Sequence, residues 1–427
     1  MMNELVFAIV GAGSSYTPEI VERLAGMRQA LPATKLVLMD INPARLETVA
    51  GFCRRFAAHL ELPLQIETTT DLRQAVASAR FVIVQVRVGG NAQRVLDEKI
   101  PLKYGIIGQE TTGPGGMFKA LRTIPVILEI ARAVEALNPN ALIINYANPT
   151  GLNAEAVQRF TAANFVGLCS GAFFPRDAIS QALGVPKESV YYDYFGLNHL
   201  NFAYHLSVNG RPLSEAEFER VAESIYGGHA VASGLIKTLR LLPSPYLQYY
   251  FHRRRSLAEA QQKEHTRGEV VQLLEQEVFA AYADPAQAAK PAALSRRGGG
   301  GYSEIALDVA DACYNNLGKT IIVNAANRGA APFLPADAAL EMPCLVNAAG
   351  VRPLVIPDIP RSIWGLVAAV KNYEQLVVEA ACTGDRETAL QALLAHPLVG
   401  DYEAAVPLLE EMLEANRAFL PQFFPQG

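Results

Sequence analysis

The sequence lacks the features that would place it in a membrane or on a nucleic acid. No run reaches the roughly 18 apolar residues that a membrane span needs, and the opening MMNELVFAIVGAGSSYTPE has no basic segment of the kind that begins a signal peptide. The 37 basic and 42 acidic side chains form no long block of one sign, and their sum is −5. This balance disfavours nucleic acid or a membrane surface as the main partner.

Cysteine is also scarce, and its distribution disfavours a disulfide framework. The five cysteines are scattered and odd in number: Cys53, Cys169, Cys313, Cys344 and Cys382. This pattern predicts a protein of the reducing cytoplasm.

The 427 residues contain no internal repeat, and half of them are hydrophobic, which predicts two domains with substantial cores.

Short apolar runs alternate with helical segments in the first half of the chain. The predicted strands cover 5–10, 35–39, 81–86, 141–145 and 165–168. Continuous apolar runs of this length are typical of parallel strands buried on both faces, so a doubly wound sheet is expected. We place the domain boundary after residue 168, with a nucleotide-binding domain over 1–168 and a second domain over 169–427.

The second half is less regular. A strand region is predicted over 191–205 and a short strand over 321–323. Helices are predicted over 214–241, 269–281, 362–382 and 402–419, and from about residue 303. Residues 295–301, which include four consecutive glycines, are expected to form a flexible loop.

The turn after the first strand carries a dinucleotide-binding pattern. Gly11 and Gly13 allow backbone amides to approach a pyrophosphate at a helix N-terminus. Asp40 ends the second strand, where a carboxylate accepts hydrogen bonds from an adenosine ribose and favours NAD over NADP. Tyr16 occupies the usual third glycine position, so an ordinary strand–helix turn is the alternative. The predicted cofactor-binding residues are Gly11, Gly13, Ser14, Ser15 and Asp40.

No histidine–aspartate pair with carboxylate-binding arginines indicates a simple hydroxy-acid dehydrogenase. The chain instead carries the segments GAGSSYTPE, KYGIIGQETTGPGG, NYANPTG, GLCS, FGLNHL, PSPYLQYY, RRGGGGYSE and HPLVGD. With these it resembles glycoside hydrolase family 4 from residue 11 to about residue 401. The resemblance implies a Rossmann-type NAD-binding domain followed by an α+β domain like that of lactate and malate dehydrogenases.

The resemblance also implies glycoside cleavage by redox elimination, an exception to the usual pair of catalytic carboxylates. In this cycle NAD⁺ takes a hydride from sugar C3, and a base then removes the acidified C2 proton. The aglycone leaves C1, water adds, and the hydride returns. The members that the chain resembles most are 6-phospho-β-glucosidases, so the expected partner is a small phosphorylated sugar glycoside.

Family positions imply the metal ligands and the base. Cys169 and His199 match the two protein ligands of a divalent metal, usually Mn²⁺, which would stabilise an enediolate. Without the resemblance, a buried cysteine is more often inert packing. Tyr246 matches the C2 base, although three clustered tyrosines can also be packing at a domain contact. Tyr302, after the glycine run, is the alternative base, although a loop-anchoring role is favoured for it.

Substrate contacts are implied for three residues. Asn148 matches a residue that meets sugar hydroxyls, and Arg267 one near the phosphorylated sugar. Arg87 follows a strand end, where open sheets bind ligands. Each arginine has the alternative of being a surface charge, and the run 253–255 is expected to be a solvated helix face.

One position departs from the family pattern. Cys169 is followed by Ser170, where the phospho-β-glucosidases have asparagine and the α-glycosidases aspartate. This disfavours α-glycosidase activity and leaves open a hydrolase of an unphosphorylated or modified sugar. A sugar dehydrogenase without elimination and a nonenzymatic NAD or sugar-phosphate sensor are further alternatives. The family forms dimers and tetramers, so a homo-oligomer is expected.

Overall fold

The computed structural model describes residues 4–226, 231–297 and 301–425. Its strands are β1 Leu5–Val10, β2 Ala33–Met39, β3 Gln65–Thr69, β4 Phe81–Val84, β5 Leu142–Asn145, β6 Phe165–Gly167, β7 Val190–Leu197, β8 Leu200–Val208, β9 Arg211–Pro212, β10 Leu242–Pro243, β11 Lys319–Ala326, β12 Ala339–Asn347 and β13 Gly350–Pro353.

The helices alternate with these strands in the first half and dominate the end of the chain. They are α1 Thr17–Gly26, α2 Pro43–His59, α3 Leu72–Val76, α4 Gly90–Lys103, α5 Gly113–Leu137, α6 Thr150–Phe160, α7 Phe174–Leu183, α8 Glu215–Tyr226, α9 Ser233–Leu239, α10 Gln248–Phe251, α11 Arg253–Gln262, α12 Arg267–Ala283, α13 Ala292–Arg297, α14 Tyr302–Tyr314, α15 Arg361–Thr383, α16 Arg386–Ala395 and α17 Tyr402–Ala415.

One sheet runs through both halves of the chain. The strands β3, β2, β1, β4, β5 and β6 lie in that order and are parallel, which is the order of a dinucleotide-binding domain. Beyond β6 the sheet continues with β11, β12, β7, β8 and β10, all paired antiparallel. The predicted α/β fold, a Rossmann-type domain followed by an α+β domain, is confirmed. Because the sheet is continuous, a boundary after residue 168 stays a prediction.

The burial of the parallel strands explains why they could be predicted from the sequence. All six residues of β1 and all four of β4 are buried, since helices cover the sheet. One connected hydrophobic cluster includes residues from Leu5 to Phe423. Within the described part of the chain, no helix is long and apolar enough to cross a membrane.

Several elements differ from the sequence-based expectation. Residues 295–297, expected in a loop, form the end of α13, and the glycines 298–300 lie outside the described residues. The helix expected over 214–241 is divided into α8 and α9, and residues 227–230 between them are likewise outside the described ranges. The strand β12 was not predicted, because Glu341 and Pro343 interrupt its apolar pattern.

Candidate active site

A cavity of about 1060 Å³ lies at the carboxyl ends of the parallel strands, where open α/β sheets bind ligands. Its wall includes most of the predicted site residues: Gly11, Gly13, Ser14, Asp40, Arg87, Asn148, His199, Tyr246 and Arg267. Ser15 and Cys169 are also predicted site residues, but both are buried and do not belong to its wall. The sequence-predicted nucleotide, base and sugar residues therefore meet at one cavity.

Two glycines shape the nucleotide end of the cavity. Gly11 has φ +86°, and a Cβ atom there would lie 2.8 Å from the backbone nitrogen of Val86. A Cβ atom on Gly13 would lie equally close to a carboxylate oxygen of Asp40, at 2.8 Å. Gly11 therefore requires glycine, because the obstacle is backbone, whereas a side chain at Gly13 would displace the Asp40 carboxylate. Ser15 does not present its hydroxyl here, since its Oγ is buried without a hydrogen-bond partner.

Asp40 is held in a fixed orientation at the end of β2. One carboxylate oxygen accepts a hydrogen bond from the Gly13 amide at 2.8 Å, and the other accepts from the Asn42 amide at 2.9 Å. Arg45 is directed elsewhere: its Nε donates to the Gly13 carbonyl at 2.6 Å, and its Nη2 pairs with Glu275 at 2.9 Å. The Asp40 charge is thus available beside the cavity.

His199 and Tyr246 form a stacked pair. His199 lies in the two-residue turn between β7 and β8, where Leu197 pairs with Leu200, and it has φ +64°. Its ring is parallel to that of Tyr246, with 3.8 Å between centroids and 5° between planes. Burial lowers the pKa of His199 to about 3, so the imidazole is neutral, and its Nδ1 is buried without a partner. A neutral imidazole with a free ring nitrogen is what a metal ligand requires.

Cys169 lies two residues after the end of β6 and is 4% exposed. Burial raises the pKa of its thiol and the Glu341 charge raises it further, while hydrogen bonds from the Gly171 backbone and the Asn198 side chain oppose the rise. Such a thiol becomes a thiolate only beside positive charge, as a divalent cation supplies. In the ranges 4–226, 231–297 and 301–425, no three His, Cys, Asp or Glu side chains gather as a ligand set. The residues present fit a metal with two protein ligands and open positions.

Glu341 supports this region and was missed in the sequence. It is 1% exposed on β12, opposite Gly196 of β7. Its oxygens accept four hydrogen bonds, from Tyr194 at 2.6 Å, Asn201 at 2.9 Å, Asn324 at 3.0 Å and Asn198 at 3.2 Å. Because Asn198 precedes His199, this network fixes the turn that carries the histidine.

A buried charge cluster forms another part of the wall. Glu110 lies 3.1 Å from Arg87, 2.7 Å from Arg94 and 3.2 Å from Lys119. Burial opposes ionisation of Glu110, but the three cations together lower its pKa well below the ordinary value. For Lys119, burial outweighs the attraction of Glu110 and lowers the pKa to about 7. Arg87 is therefore a partner of Glu110 as well as a cavity residue.

The remaining candidates also lie at the cavity. Asn148 follows β5 and precedes a cis peptide bond to Pro149. Arg267 begins α12, and its Nη2 donates to the Arg297 carbonyl at 2.5 Å. Tyr302 begins α14 and lines the cavity, so it stays the alternative base, although burial raises its pKa and disfavours the phenolate. The arginines 253–255 are exposed on α11, as expected for a solvated face.

Comparison with known proteins identifies the family. The model described as "Family 4 glycosyl hydrolase" matches residues 6–185, and that of the family's C-terminal domain matches residues 194–399. The chain belongs to glycoside hydrolase family 4. Family membership confirms the resemblance on which the metal and base assignments were carried over.

Members of family 4 with high similarity are phosphoglucosidases. A probable 6-phospho-β-glucosidase of Bacillus subtilis is 40% identical, with 99% of both chains covered. The 6-phospho-β-glucosidase of Escherichia coli is 36% identical, covering 99% of this chain and 98% of the relative. A phospho-α-glucosidase of Clostridium acetobutylicum is 29% identical, covering 98% and 99%.

Solved structures agree with this placement. The 6-phospho-β-glucosidase of Thermotoga maritima with NAD and glucose-6-phosphate superposes with a TM-score of 0.91 at 34% identity, covering 97% of this chain and 99% of that one. Another structure of that enzyme contains manganese, NAD⁺ and glucose-6-phosphate. A malate dehydrogenase of Plasmodium falciparum, 13% identical with a TM-score of 0.52, shares the fold alone, over 95% of this chain and 99% of that one.

Proposed function

We propose that the protein is an NAD- and Mn²⁺-dependent 6-phospho-β-glucosidase of the cytoplasm, where its five free thiols stay reduced. The observation that carries the proposal is the stacked pair of His199 and Tyr246 on the wall of the cavity that also contains the Gly11–Asp40 nucleotide motif. A base, a metal-ligand candidate and a hydride-acceptor site in one cavity are the parts that redox elimination needs. When bound, NAD⁺ accepts and returns a hydride, and the divalent ion stabilises negative charge on sugar oxygens.

The chain's own residues take the following roles in this proposal. Gly11, Gly13 and Ser14 receive the diphosphate, with Ser15 in the same turn, and Asp40 receives the adenosine ribose. Cys169 and His199 hold the metal, leaving positions for substrate oxygens. Tyr246 removes the proton from sugar C2. Burial raises the pKa of Tyr246, so the phenolate depends on positive charge beside the His199 ring that it stacks against.

Phosphate recognition is assigned to arginines at the cavity. Arg87 and Arg267 present planar donors suited to a phosphoryl group. Asn148 is assigned the contact with sugar hydroxyls, and its position beyond the carboxyl end of the parallel strand β5 supports this assignment. The β-acting relatives are 6-phospho-β-glucosidases, which supports a β-linked 6-phosphoglycoside as the substrate. A homo-oligomer is proposed from the family alone.

Ser170 bears on which substrate class the protein hydrolyses. In this chain its side chain hydrogen-bonds to Tyr302, which lowers the otherwise raised pKa of that phenol. Ser170 is therefore engaged with the alternative base and supplies no carboxyl group to a leaving group. This supports β over α specificity and leaves an unphosphorylated or modified sugar as the alternative substrate.

The test follows deuterium at sugar C2. Hydrolysis of a nitrophenyl 6-phospho-β-glucoside in D₂O, with NAD⁺ and Mn²⁺, should give product with deuterium at C2 and no net NADH. In Tyr246→Phe, kcat should fall by about 10²–10⁴-fold, the usual value of general base catalysis. Tyr250→Phe is the matched control, because Tyr250 is outside the cavity wall and its hydroxyl lies 3.4 Å from His396.

Each alternative predicts another result. Stoichiometric NADH would indicate a dehydrogenase, and equal cleavage of the glucoside lacking the phosphate would indicate the other substrate class. Wild-type product without deuterium at C2 would refute the elimination mechanism. Deuterium incorporation with full activity in Tyr246→Phe would move the base to Tyr302.

A further inference from the structure

The inference concerns Arg297, the last residue of α13. Arg297 is 6% exposed and lines the cavity. Its neighbour Arg296 is exposed and pairs with Glu277 outside the cavity. The two adjacent arginines of the RRGGGGYSE segment therefore have opposite environments, and only Arg297 faces the candidate site.

The Arg297 guanidinium is only partly satisfied by the residues around it. Its Nη2 lies 3.4 Å from Glu275, a long contact to a carboxylate that Arg45 at 2.9 Å and Asn91 at 3.0 Å already occupy. Its Nε is buried without any hydrogen-bond partner. Buried donors are almost always satisfied, and arginine favours bidentate contact with carboxylate or phosphate. The unfilled donor on a cavity wall indicates that a ligand completes it.

The position of the guanidinium indicates which ligand. It lies 4.1 Å from the centroid of the Tyr16 ring. Tyr16 is the N-cap residue of α1. Burial raises the pKa of Glu19 in the first turn of α1, and Lys290 and, less strongly, Arg297 oppose this rise. Arg297 thus lies beside the helix N-terminus that follows the glycine turn, where dinucleotide diphosphates bind.

We propose that Arg297 donates to a phosphate oxygen of the cofactor diphosphate, opposite the backbone amides of the glycine turn. The proposal rests on the proposed NAD site. The ligand chemistry is a phosphoryl oxygen, which the sugar 6-phosphate also carries. The cofactor is favoured because Tyr16 and the start of α1 belong to the nucleotide turn.

The test measures binding and needs no turnover. Nucleotide-free Arg297→Met, Arg296→Met and wild-type protein would be titrated with NAD⁺, ADP-ribose and glucose 6-phosphate by calorimetry. Removing one charge-assisted contact to a phosphate should weaken NAD⁺ and ADP-ribose together by roughly 10- to 100-fold. Glucose 6-phosphate should bind Arg297→Met as it binds wild type. Arg296→Met should match wild type in all three titrations.

Control measurements keep the result interpretable. Arg297→Lys retains the charge but loses the planar fork, so its NAD⁺ affinity should lie between those of Arg297→Met and wild type. Unchanged NAD⁺ affinity in a folded Arg297→Met would overturn the proposal. Weakened glucose 6-phosphate binding alone would overturn it in favour of the sugar phosphate. Failure of the proposed hydrolysis would instead appear in the wild type as absent turnover, with the titrations unaffected.

Discussion

Substitution of Glu341 by glutamine should weaken metal binding while the protein remains folded. The carboxylate accepts hydrogen bonds from Tyr194 and Asn201 on one oxygen and from Asn198 and Asn324 on the other. Glutamine has one oxygen, which accepts hydrogen bonds, and one NH₂ group, which donates them. Two of the four donors would therefore face an NH₂ group in place of an oxygen. The Tyr194 hydroxyl can turn to accept, but the asparagine amides cannot, if they keep their present orientation.

The magnitude follows from the orphaned donors. At least one buried amide loses its acceptor, which costs about 1–3 kcal/mol of folding free energy. His199 holds φ +64°, which is unfavourable for a residue with a Cβ atom, and Asn198 beside it loses part of its support. Substitution of residues that orient metal ligands typically costs about 10–100-fold in metal affinity. We expect a loss of this size for Mn²⁺ in Glu341→Gln.

The assay is titration of metal-free protein with Mn²⁺, and with Co²⁺ to follow its thiolate absorption. Glu155→Gln is the matched control: Glu155 is buried, accepts from the Ala339 amide at 2.6 Å and pairs with Lys371 at 3.0 Å, away from the cavity wall. It should lower stability without changing metal affinity. Equal metal affinity in Glu341→Gln and wild type would refute the positioning role, and equal loss in both variants would reduce it to general destabilisation.

Two further predictions concern Cys169 and Lys119. Chelation should abolish turnover and Mn²⁺ should restore it, whereas Cys169→Ala should remain folded, lose the Co²⁺–thiolate absorption and fail to recover; full activity of that variant would contradict the ligand assignment. Lys119 has its pKa lowered to about 7 by burial, so between pH 7 and about 10 the unfolded state carries a proton that the folded state does not, and this residue's contribution to stability rises with pH. In urea unfolding, the free energy of unfolding of wild type minus that of Lys119→Met should therefore increase by up to about 2 kcal/mol between pH 6 and pH 9. A difference that does not change with pH would contradict the pKa shift.

The sequence predicts the parallel half of the fold well, for a physical reason. Strands such as Leu5–Val10 are buried on both faces, so their apolar runs are continuous and end at glycine turns or polar residues. The antiparallel half is harder to predict: β12 contains Glu341, which is buried because neighbouring strands supply donors to it. A local pattern cannot report such distant partners.

The candidate site divides in the same way. Gly11, Gly13 and Asp40 are close together through one strand–turn–helix unit, so their spacing carries a signal. His199 and Tyr246 come from separate segments of the chain, and their rings stack in the folded protein. From the sequence, only the family resemblance predicted that they belong to one site. Arg297 gave no usable sequence signal, because Arg296 beside it has the same chemistry and an exposed environment.

The single sheet has a consequence for how the site admits and releases ligands. At the junction of the two halves Asn324 of β11 is paired with Gly167 of β6, and the hydrophobic cluster extends across it. Hinged closure of two lobes, a common way to exclude water, would break this pairing. Helices α10–α13 carry Gln248, Ser256, Arg267 and Arg297 on the cavity wall and belong to no strand pair. Because one sheet joins them, the nucleotide turn after β1 and the His199 turn between β7 and β8 keep a fixed separation.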